Sequence, residues 1–143
     1  MAGIVVGFDG SKNAEAALSW AMRRAVNEHL GLTVLTINEL AVSPWTGSPS
    51  VVNEDEVMLK KARQAADDAV ARCSRDVTGP LSVTVTAING IVGDELISAS
   101  RAAEMLVIGS RGELDFPALR VSEIAAKVAH YASCPVVIVP PAA

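Results

Sequence analysis

The sequence predicts an α/β fold: an open, doubly wound parallel sheet with helices on both faces. Two observations carry that prediction. Short apolar runs of strand length (Ile4-Val5-Val6-Gly7-Phe8, Leu32 to Ile37, Met105-Leu106-Val107-Ile108 and Pro135-Val136-Val137-Ile138-Val139) read as strands buried on both sides. Between them lie segments whose apolar residues recur at helical spacing, in strict alternation with the strands. Right-handed crossovers then place any ligand site beyond the carboxyl ends of the strands.

The first run ends at Asp9-Gly10-Ser11, a turn and helix start, and Ala14, Ala17, Leu18, Ala21 and Ala25 share one face of the helix that follows. His29-Leu30-Gly31 supplies its stop. After the second strand, residues 41–53 form a turn-rich loop carrying Trp45, which is a candidate to cover a pocket or meet a partner. A long helix follows with Met58, Ala62, Ala65, Ala69 and Cys73 on one face, broken by Thr78-Gly79-Pro80. Leu81, Val83, Val85 and Ala87 alternate with polar residues, which suggests a strand with one wetter face at a sheet edge. Asn89-Gly90 turns the chain into a third helix around Leu96, Ile97 and Ser100. Ile124, Ala125, Val128, Ala129 and Ala132 make the face of a fourth. No repeat is visible, and residues 1–143 read as a single domain.

Half the residues are apolar, 20% are charged and the formal net charge is −4, which argues against nucleic-acid or anionic-lipid binding. No apolar run approaches the roughly 20 residues that cross a bilayer, and the start of the chain shows no basic segment of a signal peptide. A cytoplasmic location is expected, with Cys73 and Cys134 as buried thiols. Neither these cysteines nor His29 and His130 have metal-ligand spacing. Trp20 reads as core or rim packing.

Gly109-Ser110-Arg111-Gly112 directly follows the Met105–Ile108 run, and Ser122-Glu123 opens the fourth helix. A glycine-rich turn between a buried strand and a helix start can hold a phosphate on backbone N–H groups. Asp9-Gly10-Ser11 belongs to the same rim, so the loops can flank one crevice. Asp9 is equally readable as a turn and cap residue. Ser110 has no Gly-x-Ser-x-Gly setting that would make it a nucleophile, and no Walker pattern occurs. Residues 87–89 and 139–141 lack the Asp and Lys of a phosphate-receiving domain, and Gly7 to Ser11 do not match the Ser-Gly-Gly-x-Asp-Ser of nucleotide-activating ligases.

Val5 to Ser11, Gly90-Ile91-Val92-Gly93-Asp94-Glu95-Leu96-Ile97, Val107 to Gly112 and Ala132 to Val139, in that order, resemble the universal stress protein family across nearly the whole chain. The resemblance implies a Rossmann-like fold of the adenine nucleotide alpha hydrolase type, with strand order 3-2-1-4-5, and a homodimer. In one branch of the family it also implies an adenine nucleotide, ATP with Mg among them, between the first and fourth strands. That branch carries the motif Gly-x2-Gly-x9-Gly-Ser/Thr. Gly109 and Gly112 match its first glycines, whereas Ser122 and Glu123 stand where Gly and Ser/Thr are expected. By the same resemblance Gly7, Phe8 and Asp9 end the first strand beside the nucleotide. Ile37 and Asn38 flank the adenine, Gly90 approaches base or ribose, and Arg111 belongs to the phosphate loop.

Ser122 tolerates the glycine role at modest cost, whereas a Glu123 carboxylate facing a triphosphate repels it. Glu113 and Asp115 against Arg111 and Arg120 add to that repulsion. Ser122 and Glu123 also suit a self-capped helix start, worth about 1 kcal/mol for the cap and about 0.3–1 kcal/mol for the anion. Alternatively Glu123 holds Mg²⁺ against phosphate oxygens. The residues leave open ATP, a smaller or less charged adenine ligand, or no nucleotide and a fixed protein-interaction module. No catalytic constellation supports an efficient enzyme, and at most slow ATP hydrolysis is compatible. Val136 to Val139 is an apolar run at the edge in the implied order, and Pro135 to Val139 is the expected homodimer contact.

Overall fold

The chain alternates strand and helix throughout: β1 (Ile4–Gly7), α1 (Lys12–Glu28), β2 (Leu32–Glu39), α2 (Asn53–Ser74), β3 (Val83–Gly90), α3 (Val92–Ser100), β4 (Met105–Gly109), α4 (Glu123–Tyr131) and β5 (Val136–Val139). A computed structural model describes residues 3–39, 53–111 and 121–141. The loop before residue 53 with Trp45, and Gly112, Glu113, Asp115 and Arg120, lie outside the described residues. The strands form one parallel sheet in the order β3-β2-β1-β4-β5, as the resemblance implied.

Register is set at the centre, where Val6 of β1 pairs with Val34 of β2 and Val107 of β4. Because side chains alternate along a strand, β1 supplies both layers of the core. Ile4 and Val6 pack with Ala17, Leu18 and Met22 of α1 and Ala66 and Ala69 of α2. Val5 packs on the other face with Leu35, Leu96 of α3 and Ala125 and Val128 of α4. Val6 and Val107 are wholly buried, and each such side chain contributes about 1.5–3 kcal/mol over exposure.

Several boundaries and faces differ from the sequence reading. Asn89 and Gly90 do not turn the chain: they continue β3, paired with Asn38 and Glu39. Backbone pairing along a neighbouring strand of matched length overrides the local turn preference of Asn-Gly. In α2 the inward positions are Ala66, Ala69 and Cys73, while Met58 and Ala65 are exposed. In α4 only Ala125 and Val128 are buried; Ile124 and Ala129 are exposed, and Ala132 lies beyond the helix. A short helix over a sheet edge buries a narrow stripe, not the wide face its composition offers. Cys134 is half-buried, whereas Cys73 is buried, and both are free thiols. Trp20 packs partly buried on the core, with the Arg24 guanidinium 5.8 Å from its ring centre.

The helix stop at the end of α1 falls on His29, the first residue of the expected His29-Leu30-Gly31 stop. His29 takes the left-handed conformation (φ 57), its N–H donates to the Val26 carbonyl at 3.3 Å, and the Leu30 N–H reaches the Ala25 carbonyl at 2.9 Å. This is the paired closure that a left-handed residue permits, here made by a residue with a Cβ. Gly31 instead opens the sheet, its carbonyl accepting from the Ile4 N–H at 3.0 Å. His29→Gly is expected to stabilise the fold by about 0.5–1 kcal/mol, read as a rise of roughly 1–4 °C in Tm.

Candidate functional site

Strand β1 lies between β2 and β4, so the chain leaves the sheet to opposite sides of it and a crevice opens at its carboxyl end. The crevice is half open to solvent and holds a cavity of about 110 Å³. Gly7 and Phe8 form its floor, Leu35, Ile37 and Ile108 its apolar walls, and Val92, Leu96, Ile124 and Ala125 bring α3 and α4 onto it. Polar groups sit at its rim: Asp9, Arg111 and Ser122.

Gly7 keeps this space open. A Cβ there would stand 3.0 Å from Leu96 Cδ2 and 3.3 Å from Ile108 Cγ2, closing the floor against α3. Beside it, Asp9 Oδ1 accepts from the Ser11 N–H at 2.9 Å and the Ser11 hydroxyl at 2.6 Å. Ser11 Oγ in turn accepts from the Ala14 N–H at 3.1 Å, so the carboxylate and the cap of α1 form one unit. Both readings of Asp9, turn residue and rim carboxylate, therefore describe the same side chain.

Ser110 and Arg111, the first residues after β4, are bound within the protein. The Ser110 N–H donates to the Val139 carbonyl at 2.9 Å, and the Arg111 N–H donates to Asn13 Oδ1 at 2.9 Å. The Ser110 carbonyl accepts from the Ser122 N–H at 2.6 Å, which brings the start of α4 onto the loop. Ser122 is the N-cap of α4, its hydroxyl accepting from the Ala125 N–H at 3.0 Å. The backbone donors of Ser110, Arg111 and Ala125 thus already serve protein acceptors. The Ser110 hydroxyl is buried and donates to Asn13 Oδ1 at 3.2 Å.

Of the residues expected at the site, Gly7, Phe8, Asp9, Ile37, Gly109, Arg111 and Ser122 meet in the crevice. Asn38 and Gly90 do not line it. Asn38 Nδ2 donates to Asn89 Oδ1 at 2.9 Å on the surface, and Gly90 lies against Glu95, whose Cγ would be 2.8 Å from an added Cβ. Glu123 is exposed on the first turn of α4 and is not among the residues lining the crevice. Among the described residues no cluster of His, Cys, Asp or Glu is arranged to hold a metal ion.

Two contributors escaped the sequence reading. Asn13 is buried where α1 faces β4, a polar residue four positions before Ala17 on the apolar stripe, and that misfit was the available signal. Glu39 caps α3 from the end of β2: its Oε1 accepts from the Val92 N–H at 3.2 Å, where Ile91 at the N-cap makes no side-chain bond. Cys134 lies outside the crevice lining, and partial burial holds its thiol above the ordinary range, against a lesser opposing effect of a backbone hydrogen bond at Leu106.

The description of the universal stress protein family matches residues 2–140. The chain belongs to that family. A universal stress protein of Mycolicibacterium smegmatis is 33% identical over 140 residues, 96% of this chain and 47% of the relative. The chain spans about half the length of the curated relatives it matches. Among solved structures, a universal stress protein in complex with cAMP superposes with a TM-score of 0.70 at 20% identity, covering 97% of each chain. One from Archaeoglobus fulgidus in complex with dAMP gives 0.63 at 20% identity, covering 97% of this chain and 98% of the other. At these identities the likeness establishes the fold.

Gly109 carries the tightest approach in the site: a Cβ there would stand 2.9 Å from Asn13 Oδ1 and 3.3 Å from the Asn13 backbone carbon. Gly109→Ala is expected to destabilise the protein by about 1–3 kcal/mol in urea unfolding, because Asn13 must give up its buried bonds. Ser122→Ala, which removes only the cap of α4, is expected to cost about 1 kcal/mol in the same measurement.

Proposed function

We propose that this universal stress protein is a stress-responsive, dimeric binding protein that takes an adenine nucleotide in the crevice between β1 and β4. The observation that carries this reading is an apolar slot with Arg111 at its rim and the Glu123 carboxylate outside it. Leu35, Ile37 and Ile108 suit the faces of a base, Asp9 a ribose hydroxyl, and Arg111 with Ser122 a phosphate.

One phosphate fits this rim better than three. The N–H groups of Ser110, Arg111 and Ala125 are spent within the protein, and a triphosphate needs several such donors. The cAMP and dAMP held by structural relatives are ligands of that smaller class. Mg-ATP is the larger alternative, with Glu123 turned to the metal. The spent donors also favour a second reading, a nucleotide-free protein-interaction module with the same fold.

Calorimetry of the nucleotide-stripped protein with AMP, ADP, and ATP with and without Mg²⁺ separates these readings. AMP is expected to bind roughly tenfold or more tightly than Mg-ATP, a difference of about 1.4 kcal/mol. Tighter binding of Mg-ATP overturns the monophosphate preference, and no heat with any of them leaves the interaction module. Glu123→Ser is expected to change AMP affinity by less than about threefold while costing the helix start about 0.3–1 kcal/mol.

The dimer reading rests on β5. Val136 to Val139 form an edge strand, apolar and half-buried, and an edge of that kind favours pairing with a second copy. Val137→Lys is expected to shift the protein to monomer, or render it insoluble, in light scattering. A soluble dimer of that variant would place the contact elsewhere.

A further inference from the structure

The loop after β4 and the edge strand β5 meet at one side chain. Asn13 lies in the first turn of α1, 8% exposed, and its carboxamide is committed at both ends. Oδ1 accepts from the Arg111 N–H at 2.9 Å and the Ser110 hydroxyl at 3.2 Å, and Nδ2 donates to the Val139 carbonyl at 3.0 Å. The Val139 carbonyl also accepts from the Ser110 N–H at 2.9 Å, which closes a ring of bonds through Asn13, Ser110 and Val139. Gly109 has no Cβ where Asn13 passes, so the carboxamide sits directly on the strand end. The same turn of α1 is anchored by Ser11 to the rim carboxylate Asp9.

We propose that Asn13 is a positioning residue of the crevice: its carboxamide sets the Gly109–Arg111 wall and fastens it to the end of β5. The crevice wall and the free edge of the sheet then move together. A shift of Arg111 toward a ligand pulls on Oδ1, and Nδ2 transmits that pull to Val139. The ring resists partial opening, because each bond that breaks leaves a buried donor or acceptor unmatched. The fastening needs no ligand; its effect on nucleotide affinity rests on the reading above.

Amide hydrogen exchange of the full chain, followed by NMR, tests it in Asn13→Ala and Asn13→Asp. Asn13→Ala removes both ends, so Ser110 and Arg111 are each expected to lose protection roughly tenfold or more beyond core amides such as Val6 and Val107. Asn13→Asp keeps an acceptor for the Arg111 N–H but turns an oxygen toward the Val139 carbonyl. Arg111 is then expected to stay protected while Ser110 is not. Protection lost at both sites only in step with Val6 and Val107, in either variant, overturns the proposal.

The wild-type protein gives a test that needs no variant to fold. The Asn13 Nδ2 protons are expected to exchange far more slowly than those of the exposed Asn27, and equal rates overturn the fastening. AMP titrated into wild type and Asn13→Ala supplies the functional arm. Failure of AMP to bind wild type removes the nucleotide reading, while the exchange data still decide the role of Asn13. Where AMP binds wild type, an affinity roughly fivefold or more weaker in Asn13→Ala is expected, and an equal affinity overturns the positioning role.

Discussion

The placement of β1 between β2 and β4 governs the rest of this molecule. Its residues Ile4 to Val6 pair on both sides at once, and their alternating side chains supply both layers of the core. Connections to β2 and β4 must leave in opposite directions, so α1 and α2 cover one face and α3 and α4 the other. The crevice is the gap that divergence leaves at the strand end. Glycine at position 7 preserves it, because a larger residue would fill the gap with its own side chain and press on Leu96.

Around that gap the protein uses its polar groups on itself before offering them to anything else. Asp9 and Ser11 cap α1, Ser122 caps α4, Glu39 caps α3, and Asn13 takes the donors of the loop after β4. Buried donors left unmatched cost about 1–3 kcal/mol each, so a degenerate anion motif gains stability from internal acceptors. Among the described residues the crevice is lined mainly by apolar side chains, with Asp9, Arg111 and Ser122 at its rim.

Self-satisfaction also ties distant parts of the chain together. Asn13 and Val139 are 126 positions apart, yet one hydrogen bond joins them, and Ser110 completes the ring. The edge strand is therefore part of the crevice architecture, although its side chains face elsewhere. That bond is made by a single carboxamide in the first turn of α1.

The sequence determined the alternation of elements, because buried parallel strands leave continuous apolar runs and helices leave a 3.6-residue stripe that no loop mimics. It also exposed the rim residues Asp9, Arg111 and Ser122, since turn chemistry directly after a strand is local. Tertiary structure decided what depends on neighbours. Asn89-Gly90 reads as a turn in isolation and becomes strand because β2 runs alongside it. The sequence leaves open whether Glu123 faces the crevice or solvent, and it is exposed because Ser122, one position earlier, takes the inward place at the cap. Asn13 shows in the sequence only as a polar misfit on the apolar stripe of α1, and its partners on β4 and β5 are set by the fold, since a long-range hydrogen bond does not name its acceptor in spacing.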